Sequence, residues 1–234
     1  MDPKVESPYF LSKQAHVCIA GGTMFMLDEI NGKYLAIEKT QAASFEPFIG
    51  NWPIKATSCN APVFPRALLQ RHLITPYPNL GKPATPPTIQ LPNVWLRDGQ
   101  PRGRPRITAK DVYRFAISVS CALHSKKRLP FKNIVSMVQK RKPSTPERRV
   151  ETDILALLVR VFDWLRPFAF KKTDECFLYC LALNEFLAKY SIHPTWIFAV
   201  QEQPFTAHCW LQYGDQALTD IPFNLRRMVP ILVL

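Results

Sequence analysis

The sequence predicts an α+β protein, in which a small three-stranded module with short helices precedes a larger domain of helices followed by a short antiparallel sheet. Three observations support this fold class. Residues 14–37 contain three β-rich runs separated by glycine turns, residues 108–190 show helical periodicity, and residues 195–220 return to β-branched and aromatic runs. Helices first and strands last indicate that the C-terminal part is one α+β domain.

Length and cysteine usage narrow the class of protein. The chain has 234 residues, which is enough for one large or two small domains. Its six cysteines form no CxxC pair, so reduced thiols in a cytoplasm fit better than a secreted disulfide scaffold. The N-terminus lacks the apolar run of a signal peptide, and no stretch approaches the roughly 20 apolar residues of a membrane span. We therefore expect a cytoplasmic protein without membrane partners.

The positive charge is concentrated in one segment. The whole chain carries a net charge of +12, and residues 97–149 alone, with 15 Lys/Arg and 3 Asp/Glu, account for all of it. A solvated basic face and a docking site for an anionic partner both fit this pattern. The aromatic residues of the segment, Tyr113, Phe115 and Phe131, have the spacing of helix-face core residues rather than of a base-stacking platform. Nucleic acid is therefore not the partner we expect.

The N-terminal module begins with a predicted three-stranded meander. The runs QAHVCIA, TMFMLDEI and KYLAI are separated by Gly21-Gly22 and Asn31-Gly32, and Asn-Gly is the strongest short hairpin signal. The next stretch, TQAASFEPFIG, predicts a helix with Thr40 as N-cap and Gly50 as its stop. A second short helix is predicted in PRALLQRHLI.

Three strands in so small a module leave a sheet edge open, and such an edge can accept an extended peptide as an additional strand. The alternatives are a structural appendage or a DNA-binding winged helix. The second helix carries only Arg66 and Arg71, which is little for phosphate contacts. The candidate peptide-binding residues are Phe25, Leu27, Tyr34, Leu35 and Ile37.

A proline-rich stretch divides the chain. Residues 76–105 contain eight prolines and predict a semi-extended linker, which Val94–Leu96 pins to a domain. The predicted organisation is a recognition module at 1–75, the linker at 76–105 and a C-terminal domain at 106–234.

The C-terminal domain starts with helical periodicity. Thr108 and Asp111 form a capping-box pattern at the start of the first helix, and FKNIVSMVQKR predicts the second. A third helix is expected from Pro146 just inside its start to Pro167 at its close. A fourth is expected at about 174–190, capped by Thr173 or Asp174.

Strands complete the domain. TWIFAV predicts a buried strand, AHCWLQY and QALTD predict a hairpin across Gly214-Asp215, and the tail MVPILVL predicts a final strand or docking segment.

Three residues in this last part have the order that nucleophilic catalysis needs. Cys176 lies at the start of the fourth helix, where backbone amides and the helix dipole favour a thiolate. His208 and Asp220 lie on the two arms of the predicted hairpin, which brings them close. A histidine can pair with a thiolate, and a carboxylate can orient the ring. The sequence therefore predicts a Cys-His-Asp triad with the Cys176 N–H as one oxyanion donor.

Other interpretations of these residues remain open. Taken singly, a buried cysteine, a strand histidine and an aspartate before Ile-Pro are each more often structural. Cys180 shares a helix face with Cys176 and is a rival nucleophile. A zinc site would use Cys176, Cys180, His208 and Cys209, but adjacent strand residues are expected to point to opposite faces, so no metal site is predicted. The chain has no Gly-rich phosphate loop, GxSxG or HExxH.

The segment DECFLYCLALNEFLAKYSIHPTWIFAVQEQPFTAHCWLQYGDQALTD resembles the C-terminal domain of the lasso-peptide maturation B proteins, which are leader peptidases with a papain-like, transglutaminase-like fold. The matching positions run from Cys176 through Pro204-Phe205, His208 and Trp210 to Asp220. HVCIAGGTMFMLDEINGKYLAI is similar to the winged-helix-like precursor-recognition module of such systems. The chain looks like the fused form. Ala199 and Cys209 depart from the usual pattern, and we expect neither to touch the triad.

The resemblance implies a function. A protein of this kind binds the leader of a ribosomal precursor peptide as an added strand and hydrolyses the bond between leader and core. The core then passes to an ATP-dependent lasso cyclase, so that any ATP dependence would arise through that partner and no cofactor would be bound directly. A non-catalytic peptide-binding scaffold and a transglutaminase-like acyltransferase are the alternatives.

Overall fold

The structure is a computed structural model of the chain, and it forms two compact units. Unit 1 comprises residues 1–89, 199–207 and 226–232, and unit 2 comprises residues 90–198, 208–225 and 233–234. The described residues are 9–55, 62–96, 103–142, 150–170, 176–220 and 225–234.

Within the first 89 residues, the described part of unit 1 contains two small antiparallel sheets and two short helices. Its elements are β1 (Phe10–Ser12), β2 (Ala15–Ala20), β3 (Thr23–Asp28), β4 (Lys33–Glu38), α1 (Lys39–Ala43), α2 (Arg66–Gln70), β5 (Ile74–Thr75) and β6 (Gly81–Lys82). One sheet has the order β2-β3-β4 and the other β5-β1-β6.

The predicted meander is confirmed by β2, β3 and β4. The chain reverses at Gly21 and at Gly32, which have φ values of +59° and +63°. Glycine adopts this left-handed region without the steric cost that a Cβ atom brings. Met24 and Met26 of β3 lie in the core of unit 1 together with Trp52 and Leu68. Apolar packing against one face of the meander therefore holds the module together.

The first helix is shorter than predicted. It begins at Lys39 directly after β4 and ends at Ala43, so Thr40 is an internal residue and Gly50 is not the stop. The Lys39 N–H donates to the Gly22 carbonyl at 3.1 Å, and this backbone partner replaces a side-chain cap. Pro47 disfavours helical backbone at the residue before it, which limits continuation of the helix.

The proline-rich stretch contains short pairing segments rather than a regular helix. Within residues 76–96, a 3₁₀ turn covers Pro78–Leu80, and β6 pairs with β1. Val94 and Trp95 form the short strand β7 in the C-terminal sheet, which confirms that this apolar run attaches the stretch to a domain.

From residue 90 onward, the described residues form four α-helices and five strands. They are β7 (Val94–Trp95), α3 (Ala109–Arg128), α4 (Phe131–Arg141), α5 (Thr152–Leu165), α6 (Cys176–Ala188), β8 (Thr195–Gln201), β9 (Thr206–Tyr213), β10 (Gln216–Ala217) and β11 (Val229–Val233). The sheet order is β11-β8-β9-β10-β7. The final strand and the hairpin between β9 and β10 agree with the sequence patterns.

The helices of unit 2 surround α6. The capping box at Thr108 and Asp111 is present at the start of α3, which packs along α6. Helix α6 is buried on nearly every side, because only Cys176, Phe177 and Ala188 within it retain partial exposure. Such burial is typical of a central helix. The nucleophile candidate is therefore the partly exposed end of a rigid core element.

Helix α5 begins later than predicted. The structure starts it at Thr152 with Glu151 in the cap position, whereas Pro146 lies outside the described residues. The Val150 N–H donates instead to the Tyr213 hydroxyl at 3.1 Å, so a tertiary hydrogen bond uses the backbone there. Pro167 lies in the 3₁₀ turn that follows α5, as expected for a closing proline.

A partly buried ion pair ties α4 to α6 and supplies a stability prediction. Glu185 of α6 is 2% exposed, and its carboxylate accepts a hydrogen bond from the Arg141 guanidinium. Arg141→Ala leaves that carboxylate buried without this partner, so we expect a loss on the order of 3 kcal/mol in the free energy of unfolding. The exposed neighbour Lys140 provides the control, because Lys140→Ala should change stability by less than about 0.5 kcal/mol. Urea unfolding measures both, and equal losses would contradict the pairing.

Among the residues that the structure describes, no helix is both long and apolar enough to cross a membrane.

Candidate functional site

The site lies in unit 2, at the beginning of α6. Cys176 is the first residue of the helix and is half-buried, whereas the helix beyond Phe177 is almost entirely buried. The predicted caps Thr173 and Asp174 lie outside the described residues. The first backbone amides of a helix and its dipole favour negative charge, which suits a thiolate at this position.

The hairpin between β9 and β10 places His208 and Asp220 side by side. The strands pair Tyr213 with Gln216 and Gln212 with Ala217, and continuing this register places residue 220 opposite Cys209, next to His208. The His208 Nε2 atom lies 3.1 Å from the backbone carbonyl oxygen of Asp220. The structure thus brings together all three residues that the sequence singled out.

The contact with Asp220 fixes the tautomer of His208. A carbonyl oxygen only accepts hydrogen bonds, so the Nε2 atom must carry the proton and donate it. In the neutral ring this leaves Nδ1 as the unprotonated, basic nitrogen. The prediction assigned this hydrogen bond to the Asp220 carboxylate, whereas the backbone carbonyl accepts it here. The carboxylate acts on His208 through its charge.

The protonation equilibria favour an ion pair. A hydrogen bond from the Cys209 thiol, together with the hydrogen bond and positive charge of His208, lowers the pKa of Cys176 from 9.0 to about 4, although burial opposes the shift. Burial alone would lower the pKa of His208, but the Cys176 thiolate and the Asp220 carbonyl raise it. The lowered pKa of Cys176 and the raised pKa of His208 together favour a thiolate beside an imidazolium.

Cys209 is a site residue that the sequence analysis missed. The expectation that it does not touch the triad is wrong, because its thiol donates to the Cys176 sulfur at 3.7 Å. Its backbone N–H also bonds to Cys176. Cys209 is buried and His208 is half-buried, so these adjacent strand residues do have different surroundings. Both nevertheless contact Cys176 at the start of α6. Burial, the largest cause, raises the pKa of Cys209, which keeps it a protonated donor.

Cys180 is less suited to be the nucleophile. It is fully buried, and its thiol donates to the Cys209 carbonyl at 3.4 Å and contacts the Thr219 hydroxyl at 3.8 Å. A buried thiol with such partners has no approach for a substrate. In the part of the chain that the structure describes, no group of three or more metal-ligating side chains is arranged to hold an ion.

The candidate peptide-binding residues divide into two sets. Phe25 and Leu27 of β3 are buried, and the Phe25 ring stacks on Phe205 of the same unit with ring centroids 5.5 Å apart. Tyr34 contacts the Phe205 ring from β4 at 6.1 Å. Leu35 and Ile37 of β4 instead line a groove, so the structure separates them from the other three.

That groove of unit 1 lies beside the edge strand β4. It has a volume of about 210 Å³ and is bounded by residues 35–37 of β4, Gln41, Phe45 and residues 63–68, which include the start of α2. Its lining is mostly apolar and includes Arg66. A strand edge with an apolar channel alongside it is the arrangement by which β-augmentation recognises extended peptides.

Comparisons with known proteins agree with the geometry of unit 2. The family model described as Transglutaminase-like superfamily matches residues 115–233, which include Cys176, His208 and Asp220. Neither a curated protein nor a solved structure matches the chain. The superfamily includes cysteine peptidases and transglutaminases, in which a thiol attacks a carbonyl carbon. From residue 115 to residue 233, covering all of the site, the chain belongs to the transglutaminase-like superfamily.

Proposed function

We propose that this protein is the leader peptidase of a lasso-peptide biosynthetic system. It would bind the leader of a ribosomal precursor peptide at the β4 edge and hydrolyse the leader–core bond with Cys176, His208 and Asp220. One observation carries the catalytic part of this proposal. The Cys176 thiol, whose pKa is about 4, pairs with the His208 imidazole, and the Nε2 atom of that ring donates to the Asp220 carbonyl. The resemblance of residues 174–220 to lasso-peptide B proteins supports the choice of substrate.

The chemistry follows from the protonation states. The Cys176 thiolate attacks the carbonyl carbon of the last leader residue, and the oxygen becomes an oxyanion beside the first amides of α6. The C–N bond then breaks, and the His208 imidazolium gives its Nδ1 proton to the leaving amine of the core. The leader is left as a thioester on Cys176. Neutral His208 next removes a proton from water, whose oxygen attacks the thioester and frees the leader as a carboxylate.

The partners belong to the same proposal. The released core would be consumed by an ATP-dependent lasso cyclase, and ATP would act on that enzyme rather than at a site in this chain. No cofactor is needed for hydrolysis, because nucleophile, base and water complete the reaction.

The test is incubation of the purified protein with the short peptide encoded beside it in the genome, followed by mass measurement. Hydrolysis yields a leader mass and a core mass whose sum exceeds that of the precursor by one water. Adding an excess of a simple amine separates the alternatives, since an acyltransferase would give leader amide in place of leader acid. Binding of the precursor without either product would support a scaffold and reject the peptidase.

The β4 edge provides a separate prediction. The Lys39 N–H donates to the carbonyl of Gly22, the residue before β3. Backbone direction alternates along an antiparallel ladder, so the N–H and C=O groups of Ile37 and Leu35 also point toward β3. Ala36 therefore points its N–H and C=O away from β3, toward the groove. Ala36 is exposed, so a substitution there need not disturb the core.

Ala36→Pro removes that outward donor and is expected to weaken leader binding about ten-fold, the equivalent of one lost backbone hydrogen bond. Ala36→Val keeps the donor and is the matched control, with unchanged affinity expected. Fluorescence anisotropy with a labelled leader peptide measures both variants. Equal affinity of the proline variant and the parent protein would place the leader elsewhere.

A further inference from the structure

The hydrolytic scheme uses one thiol, yet the site contains three. Cys176 is half-buried at the head of α6, and the Cys209 sulfur lies 3.7 Å from its sulfur. Cys180 lies one turn further along α6, with its sulfur 3.4 Å from the Cys209 carbonyl oxygen. A second thiol in contact with a nucleophilic sulfur has chemical consequences that the hydrolysis of a peptide bond does not require.

We propose that Cys176 and Cys209 form a reversible disulfide under mild oxidation by a peroxide, and that this bond switches the nucleophile off and shields it from irreversible damage. The proposal concerns regulation and goes beyond the peptidase function. It depends on the two sulfurs being adjacent and on one of them being reachable from solvent.

The oxidation proceeds in two balanced steps. The Cys176 thiolate attacks one oxygen of hydrogen peroxide, the O–O bond breaks, and the products are a sulfenic acid on Cys176 and hydroxide. The Cys209 sulfur then attacks the Cys176 sulfur as it loses its proton, the S–O bond breaks, and water leaves. Peroxide is thus reduced by two electrons, and the two thiols are oxidised to one disulfide.

The geometry assigns separate roles to the two sulfurs. Cys176 has the lower pKa and the partial exposure that attack on peroxide requires. Cys209 is buried, so peroxide meets Cys176 first, and Cys209 serves as the resolving thiol. A disulfide needs a sulfur–sulfur distance near 2.05 Å, so the pair must close by about 1.7 Å from its present 3.7 Å. Because Cys176 is partly exposed and Cys209 is buried, we expect the Cys176 side chain to make this movement.

Cys180 is the competing partner for Cys209. Cys180 and Cys209 are both buried, and the Cys180 thiol donates to the Cys209 carbonyl. Neither residue is exposed to a dissolved oxidant. We therefore expect the link between residues 176 and 209, and the experiment must separate it from a link between residues 180 and 209.

The experiment treats the full-length protein with a small excess of hydrogen peroxide and maps the product by mass spectrometry without reduction. Trypsin places residues 176 and 180 in one peptide, 173–189, and residue 209 in another, 190–226. Cys180→Ser makes the cross-link unambiguous. Cys121→Ser, which replaces an exposed cysteine of α3, is the matched control and should behave as the parent protein.

The expected result is a 173–189/190–226 cross-link in the parent protein and in Cys180→Ser. Alkylation of Cys176 by iodoacetamide should disappear with peroxide and return fully with dithiothreitol. In Cys209→Ser, the same treatment should drive Cys176 to sulfinic acid, whose alkylation dithiothreitol does not restore.

Two outcomes would overturn the proposal. One is sulfinic or sulfonic acid at Cys176 in the parent protein with no cross-link. The other is loss of the cross-link in Cys180→Ser, which would assign the disulfide to residues 180 and 209. Neither readout uses peptide cleavage, so failure here leaves the proposed hydrolytic function standing, and an inactive peptidase leaves this result interpretable.

Discussion

Cys176→Ala is expected to abolish cleavage of the precursor peptide while leaving its binding intact. The substitution removes the only sulfur of the thiol cluster that is both ionised and partly exposed, and the remaining residues of a triad do not work without their nucleophile. The rate of cleavage should fall on the order of 10⁵–10⁶-fold, to a level set by binding alone. Mass spectrometry of the leader product over time gives the rate.

Binding separates this effect from misfolding. The β4 edge lies in unit 1 and Cys176 lies in unit 2, so the labelled leader should bind Cys176→Ala with the affinity of the parent protein. Cys121→Ser controls for the loss of a thiol elsewhere and should cleave at the parental rate. Cleavage by Cys176→Ala within about ten-fold of the parental rate would reject the nucleophile assignment.

His208→Ala is expected to produce the second largest loss. Its ring both raises the fraction of thiolate at Cys176 and supplies the proton for the leaving amine. Removing a general acid–base residue lowers rates on the order of 10²–10⁴-fold. The variant should also raise the pKa of Cys176, because the hydrogen bond and the positive charge of the imidazolium both disappear.

Asp220 provides the contrast to His208. The Asp220 backbone carbonyl accepts the hydrogen bond from Nε2, so Asp220→Ala keeps this acceptor and removes the negative charge that acts on the ring. A single charge near the protein surface contributes about 1–2 kcal/mol, so we expect roughly a ten-fold loss in rate. Equal losses for His208→Ala and Asp220→Ala would show that the carboxylate, and not the carbonyl, holds the ring.

Local chemistry determined which parts of the fold could be predicted. The meander was predictable because Gly21 and Gly32 mark turns that need a positive φ, and the capping box at Thr108 marks the start of α3 with its own side chains. The boundaries of α1 and α5 were wrong because tertiary hydrogen bonds set them. The Lys39 N–H donates to the Gly22 carbonyl, and the Val150 N–H donates to the Tyr213 hydroxyl. Both partners are too far away along the chain for a local sequence pattern to reveal them.

The candidate site was predictable in its order and not in its details. A cysteine at a helix start followed by a histidine and an aspartate on a hairpin predicted three site residues, and the structure places Cys176 and Asp220 beside His208. The contribution of Cys209 was missed because strand alternation says where successive side chains point, and it does not forbid both from bordering the same helix end. The role of the Asp220 backbone was likewise hidden, because a carbonyl is present at every residue and leaves no signal in the sequence.

The most direct test of the central claim is the pH dependence of Cys176 alkylation by iodoacetamide, followed by mass spectrometry of the 173–189 peptide. The Cys176 sulfur is expected to be a thiolate down to a pH of about 4, so alkylation should remain fast at about pH 5.5, roughly three units below an ordinary thiol. Cys176→Ala gives the background from the other thiols. Alkylation of Cys176 that becomes appreciable only above about pH 8 would contradict the thiolate–imidazolium pair, and with it the proposed catalytic site.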